Sequence, residues 1–329
     1  MIDQFDVEKA RDCILDEIVG CYNCQPWEGG PVWLGPTCYL EDLLIDCDVP
    51  EEHWQEVLDG LRCPSCGTDL NSTWDEVEVK SEYDKKVEAT LKQAHAPELV
   101  EALWVFHKFL ESYPYLGLDD PQGMGRRIRT EIQDWRSKTL WPRIWYRART
   151  LNQESRIFDS DEMGTPDPRK VLIREGRYNH TGQGFLYLSS YPETAFTEIK
   201  LSNENLCAMQ KFRATDNIKV LDLRHDLTEI DPDKDLLAVA IIYNGFVERK
   251  PHASTSWKPE YFIPRFIADC ARLQNYEGIL FSSATLYGNN LVVFAEKIPC
   301  FVPDGECEVF RWKDDAPLQD GEVNIKLEY

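Results

Sequence analysis

No stretch of this 329-residue chain approaches the ~20 apolar residues that a membrane-spanning helix needs. The longest apolar run, Leu236–Tyr243, has the length of a buried strand or part of a helix. The opening MIDQFDVEKARD, acidic and without an apolar centre, predicts no secretory leader. These absences predict a cytoplasmic protein with no membrane partner. Positive charge is scarce: 36 Lys and Arg stand against 58 Asp and Glu, a formal net of −22. Such a surplus repels phosphate backbones and argues against nucleic acid as a partner. Internal repeats, low-complexity tracts and long linkers are also absent.

What is present suits a globular protein of two or more domains. Charge is unevenly spread along it. Residues 1–80 hold 19 acidic against 4 basic side chains, a local net of −15. A basic island follows at Arg143, Arg147, Arg149, Arg156, Arg169, Arg174 and Arg177. An arginine island in an acidic chain suits a small anionic ligand better than a long polyanion, although scattered charges on a solvated face read the same way.

Eleven cysteines without an export signal point to metal binding or buried thiols rather than disulfides. Cys21-Tyr-Asn-Cys24 and Cys63-Pro-Ser-Cys66-Gly67 are two C-x2-C pairs, 38 residues apart. Two thiolates at this spacing curl around one side of a tetrahedral zinc ion, and a second pair completes four ligands. Gly67 suits the tight turn that follows the last ligand. Cys38, Cys47 and His53 lie in the intervening loop and are candidate substitutes. Four protein ligands make a closed, structural site.

Three regions emerge: a zinc-binding module over 1–72, a helical region over 73–140, and a third region over 141–329. Leu91, Ala94, Leu99, Ala102, Leu103, Phe106 and Leu110 recur at helical spacing, with a break at Ala96-Pro97. A second helix is expected over Arg126–Leu140. Beyond Trp141, short apolar runs predict strands at Arg143–Ala148, Phe185–Ser189, Met209–Arg213, Val220–Leu223, Gly278–Ser282 and Asn290–Glu296. Helices are expected at Pro192–Leu201 and Tyr261–Gln274. The irregular alternation defines an α+β fold rather than a doubly wound parallel sheet.

The chemistry concentrates between Arg147 and Glu198. Arg147 lies on a strand, Arg177 in a glycine-containing loop, Tyr187 on a second strand, and Glu198 on the helix that follows. Guanidinium forks bind pyrophosphate oxygens, and a tyrosine ring stacks on nicotinamide or ribose. A carboxylate stabilises positive charge growing on the ribose C1′ as nicotinamide leaves. Taken singly, Tyr187 reads as core, Glu198 as surface and Arg177 as an ion-pair partner. Their order and spacing favour the site.

Residues 141–329 resemble a RES domain, named for its Arg, Glu and Ser. The resemblance rests on W-Y-R-A-R at Trp145–Arg149, G-R-Y-N at Gly176–Asn179 and Y-L-S-S-Y-P-E-T-A-F-T-E at Tyr187–Glu198. It continues through V-L-D-L at Val220–Leu223, Y-F-I-P-R-F-I-A-D at Tyr261–Asp269, G-I-L-F-S-S at Gly278–Ser283, and Asn290. The family commonly has G-G-R-[WF]-N, whereas Glu175 precedes Gly176 here and the aromatic is Tyr178.

The resemblance implies an ADP-ribosyltransferase-like split mixed sheet that binds NAD+ as substrate and cleaves it at the nicotinamide–ribose bond. Glycohydrolysis, phosphorolysis and ADP-ribosyl transfer to protein are the candidate reactions, and an inactive nucleotide-binding module is the rival of another class. By position, Arg147 orients NAD+, Tyr187 meets the nicotinamide and Glu198 is the catalytic carboxylate. Ser282 best matches the family serine, with Ser283 next. Arg177, Asn179 and Asn290 join Ser283 as substrate-binding candidates, and Trp257 and Arg265 as candidate walls near the adenine. The family further implies a growth-arresting toxin with an antitoxin partner. A homo-oligomer stays open.

The N-terminal part resembles the cysteine-bearing helical extension found before some RES domains and likened to the HEPN group. The R-x4-6-H spacing of HEPN ribonucleases is missing from residues 1–140, which favours a scaffold role for this part.

Overall fold

The computed structural model describes residues 5–24, 33, 35–151, 159–160, 162–165, 167–199, 206–224, 226–247, 258–283 and 287–311. Arg156 and Trp257 lie outside them. The chain divides into two compact units, Met1–Lys92 and Gln93–Tyr329.

The first unit opens with α1 (Val7–Glu17), whose N-terminus is capped by the Asp6 side chain accepting from the Lys9 amide. Strand β1 (Ile18–Cys21) follows, then β2 (Thr37–Tyr39), α2 (Leu40–Asp46), α3 (Trp54–Leu58) and β3 (Glu76–Val79). The strands form an antiparallel sheet in the order β1-β3-β2. Ile14, Leu40, Leu44, Val57 and Val77 are fully buried between sheet and helices, each such side chain worth roughly 1.5–3 kcal/mol on transfer from water. Helix α4 (Glu82–Ala94) runs across the division between the units.

One expectation about cysteine is corrected here. Cys13 on α1 and Cys47 at the end of α2 form a disulfide, with Cα atoms 6.2 Å apart. Packing of α1 beside α2 brings the two residues within disulfide reach. Spacing along the chain carried no sign of that approach, and Cys47 is thereby removed from the ligand candidates.

In the second unit, α5 (Pro97–Ser112) begins at the proline expected to break the preceding helix. Helix α6 (Met124–Asp134) has Gly123 as its N-cap, and Asp120 Oδ2 accepts from the first helical amide, that of Met124, at 2.6 Å. The helix expected to run to Leu140 stops at Asp134, and Ser137–Leu140 is instead strand β4. The open edge of a later strand provides the reason: β4 pairs with β8 from Ser137↔Leu221 to Leu140↔Ile218, and the Trp135 indole donates to the Asp222 carbonyl.

The remaining elements are β5 (Ile144–Leu151), β6 (Leu186–Ser189), α7 (Pro192–Glu198), β7 (Leu206–Ala214), β8 (Ile218–Asp222), α8 (Leu236–Val247), α9 (Phe262–Leu273), β9 (Gly278–Ser282), β10 (Asn289–Val293), β11 (Phe301–Pro303) and β12 (Glu308–Arg311). The long apolar run is thus helical: Leu236–Ala240 are buried in α8. No described helix is long and apolar enough to cross a membrane.

The sheet order is β11-β7-β5-β6-β10-β9-β8-β4, with β12 also on β7. Its described pairs are antiparallel except β8 with β9, so the sheet is mixed and the fold is α+β. Trp145, Leu186, Val220, Leu291 and Val293 are buried on one face and form the main core. Strand β5 pairs with β7 along its whole length, Ile144↔Arg213 to Leu151↔Leu206. With β6 it pairs only at Tyr146↔Ser189. Beyond that position β5 and β6 part, and the sheet is split.

Candidate active site and cysteine cluster

A cavity of about 340 Å³ opens at the split. Its floor is one cross-strand row, Tyr146–Ser189–Asn290–Phe281, each residue directly opposite the next across β5, β6, β10 and β9. Residues directly opposite in a sheet point to the same side, so the register places all four together. Tyr187, two residues before Ser189, shares that side. Arg147, Gly176, Arg177, Tyr261 and, from α7, Ala195 and Glu198 complete the walls.

Glu198 ends α7 and reaches across to β10. Its Oε1 accepts from Asn290 Nδ2 at 2.7 Å and from Ser283 Oγ at 2.7 Å. Asn290 is itself held, its Oδ1 accepting from Ser189 Oγ at 2.6 Å. The hydroxyl on Glu198 therefore belongs to Ser283, while Ser282 closes β9 opposite Asn289, exposed and away from the cavity walls.

Arg147 brings a cation into this partly enclosed space. Its Nη1 is buried with no hydrogen-bond partner. Burial, helped by neighbouring Arg149, pulls its pKa down to about 9. Arg149 faces a different task, donating to the Glu162 and Gly164 carbonyls at 3.1 and 3.0 Å. A buried guanidinium with a free donor is a poor structural element and a good receptor for an anionic oxygen.

The loop carrying Arg177 is built around Asn179, which is 3% exposed. Asn179 Nδ2 donates to the carbonyls of Arg174, His180 and Gln183. Its Oδ1 accepts from the Tyr187 hydroxyl at 2.9 Å, and that hydroxyl accepts from the Tyr178 amide at 3.1 Å. Asn179 is thus an internal brace and not a cavity wall. Burial raises the Tyr187 pKa, keeping the phenol protonated and able to donate. Gly176 is obligatory here: a Cβ would lie 2.4 Å from Asn179 Oδ1 and 2.9 Å from the Tyr187 hydroxyl. Arg265 is buried behind this loop and is not a wall. Tyr146, Ser189, Tyr261 and Phe281 are walls that motif reading missed. Alternation from Tyr187 would have found Ser189, whereas the others needed the fold.

The second cluster belongs to the first unit. The sulfurs of Cys21, Cys24, Cys63 and Cys66 lie within 4.8 Å of one another. Cys21 Sγ is 3.9 Å from Cys24 Sγ and 3.5 Å from Cys66 Sγ, and Cys24 Sγ is 3.4 Å from Cys63 Sγ. Tetrahedral zinc with bonds of about 2.3 Å needs sulfurs roughly 3.8 Å apart, so this set can hold a metal ion. Gly67 has φ 76° and its amide donates to the Cys63 carbonyl, forming the expected turn. His53 is outside the cluster, with Nδ1 3.2 Å from Glu56 Oε2.

Residues 144–313 match the RES domain. The chain therefore belongs to the RES-domain family, whose toxins are NAD+-processing enzymes. It is also similar to the crystal structure of the M. tuberculosis MbcT–MbcA toxin–antitoxin complex, at 14% identity and a TM-score of 0.34, over 57% of this chain and 92% of that one. None of the curated proteins compared matches it.

Proposed function

We propose that this protein cleaves NAD+ at the nicotinamide–ribose bond, as a glycohydrolase or phosphorylase, and acts as a growth-arresting toxin or anti-phage effector. One observation carries the reading: Glu198, fixed by Asn290 and Ser283, faces a cavity that also holds the partnerless Nη1 side of Arg147 and the Arg177 loop. Membership of the RES family supports NAD+ as the substrate.

In this mechanism Arg147 and Arg177 take the pyrophosphate, and the braced Tyr187 ring packs against nicotinamide. The C–N bond breaks with its electron pair on nicotinamide, which leaves neutral, while C1′ becomes electron-poor. Glu198 stabilises that charge, held in one rotamer so that no reorganisation is needed at the barrier. Ser283, beside the carboxylate, supports the ribose or the acceptor in the role first expected of Ser282. Water yields ADP-ribose, nicotinamide and a proton; phosphate yields ADP-ribose carrying a 1″-phosphate; a protein side chain makes the reaction an ADP-ribosyl transfer. The cysteine cluster is a structural zinc site, since four sulfurs leave no position for a catalytic water. An antitoxin covering the arginine-lined cleft is the expected protein partner.

The test is NAD+ consumption by wild type and Glu198→Gln, with and without phosphate, with products identified by mass. Consumption by wild type alone is expected, and the product names the acceptor. Label transfer to a protein without bulk NAD+ loss would discard hydrolysis and phosphorolysis. Tight binding without turnover in both proteins would leave a nucleotide-binding module in place of an enzyme.

A further inference from the structure

Arg265 and Glu175 lie outside the arginine–tyrosine–glutamate–serine set, yet both grip the loop that carries Arg177. Arg265, on α9, is 3% exposed. Its Nε donates to the Gly176 carbonyl at 3.0 Å, and its Nη1 pairs with Glu175 Oε2 at 3.1 Å. The guanidinium carbon lies 5.6 Å from the ring centre of Tyr261, a cavity wall. Gly176 is a wall as well, and Arg177 follows it directly.

We propose that Arg265 is a positioning residue for the anion-binding arginine loop, and that the buried Arg265 and the partly exposed Glu175 form a matched pair. The inference rests on the NAD+ reading above. An unpaired carboxylate at 175 would stand beside a cavity that must admit pyrophosphate, and like charges at that range oppose binding. Arg265 neutralises it from the core side. The same guanidinium fixes the Gly176 carbonyl, so the backbone that launches Arg177 is set before substrate arrives. Packing alone does not explain an arginine there, because a guanidinium buried in an ion pair seldom stabilises a fold more than an apolar side chain of its size. Lysine would supply charge but not the fork that reaches carboxylate and carbonyl together.

The experiment compares wild type, Arg265→Met, Arg265→Lys, Glu175→Gly and the Arg265→Met/Glu175→Gly double variant. ADP-ribose affinity is read by calorimetry, KM and kcat by NAD+ consumption, and folding by circular dichroism. For Arg265→Met, the affinity and KM should worsen about tenfold or more while kcat changes less than about threefold. The double variant should recover part of the loss but stay weaker than wild type, because no unpaired carboxylate remains while the bond to the Gly176 carbonyl is still missing. If Arg265→Met does not fold, Arg265→Lys carries the test, with an expected weakening of about three- to tenfold. Unchanged affinity in a folded Arg265 variant, or a double variant no better than Arg265→Met, overturns the proposal. Wild type that neither binds ADP-ribose nor consumes NAD+ removes the NAD+ reading and this inference with it. Wild type that does both, with unaffected variants, overturns this inference alone.

Discussion

Asn290 Nδ2 stands 2.7 Å from Glu198 Oε1, tying the start of β10 to the end of α7. The carboxylate is acceptor-only, which dictates that the amide presents its nitrogen, and the Ser189 hydroxyl satisfies the oxygen left on the other side. In the proposed cleavage the interaction serves the transition state more than the ground state, because it sets where the negative charge lies. Asn290→Ala is expected to lower kcat and kcat/KM equally, by about 10–100-fold, with KM nearly unchanged. Ser283→Ala should cost about tenfold, as one donor to Glu198 is lost. Steady-state NAD+ consumption separates these from a binding defect, and a KM-only change would refute the assignment.

Arg147 creates a trade between stability and ligand. Burial holds its pKa down at about 9, so at neutral pH the fold carries a cation it disfavours. The sign follows: the penalty is constant below about pH 9 and is relieved as pH rises from there toward the usual arginine range. Arg147→Met should therefore raise the melting temperature of the ligand-free protein by a few degrees, about 1 kcal/mol. The same change should abolish the thermal shift that NAD+ or ADP-ribose produces in wild type. A variant that melts lower and still responds to ligand would contradict both halves.

The element pattern was largely legible in the sequence, and the register was not. Gly278–Ser282 stands where the apolar run between turns put it, and α5 starts at Pro97 because proline suits a first helical turn. Arg147, Arg177, Tyr187, Glu198 and Asn290 do line one cavity. What failed needed distances along the fold. Ser137–Leu140 became a strand because β8 offered an unpaired edge. Phe281 and Tyr146 entered the site because they fall in one row with Asn290 and Ser189. Ser282 and Ser283 differ by one position, which at a strand end decides which hydroxyl turns toward α7.

Glu131 gives the second unit a pH dependence of its own. Burial raises its pKa to about 7, although both carboxylate oxygens accept from the Leu237 amide, at 2.9 and 3.0 Å. Between the ordinary glutamate range and about 7, the folded protein keeps a proton that the unfolded chain has released. Its contribution to stability is therefore complete at acid pH and is lost as pH rises through about 7. After allowance for solvent reaching this half-buried group, the loss is roughly 1–2 kcal/mol. Glu131→Gln should flatten the difference in urea midpoint between pH 5 and pH 8. An identical slope in variant and wild type would assign the effect elsewhere.

Zinc in the cysteine cluster should be bound at one equivalent per chain and should hold the first unit together. Burial pushes the Cys24 thiol up to about 12 and raises that of Cys21, whereas hydrogen bonds with Thr68 pull the exposed Cys66 down to about 6, so at least Cys21 and Cys24 stay protonated at neutral pH unless a cation is bound. Metal binding then releases protons, and affinity falls as the medium is acidified. Purified protein analysed by elemental mass spectrometry should contain zinc, lose it to a chelator or to acid, and melt several degrees lower afterwards. Cys63→Ser should abolish retention, because it removes a buried sulfur packed 3.4 Å from Cys24. His53→Ala should leave the zinc content unchanged, since that ring pairs with Glu56 instead. Protein that carries no zinc, and whose melting temperature is unmoved by adding zinc after reduction, would make the cluster a set of packed thiols and return the Cys13–Cys47 disulfide to being the first unit's one cross-link among the described residues.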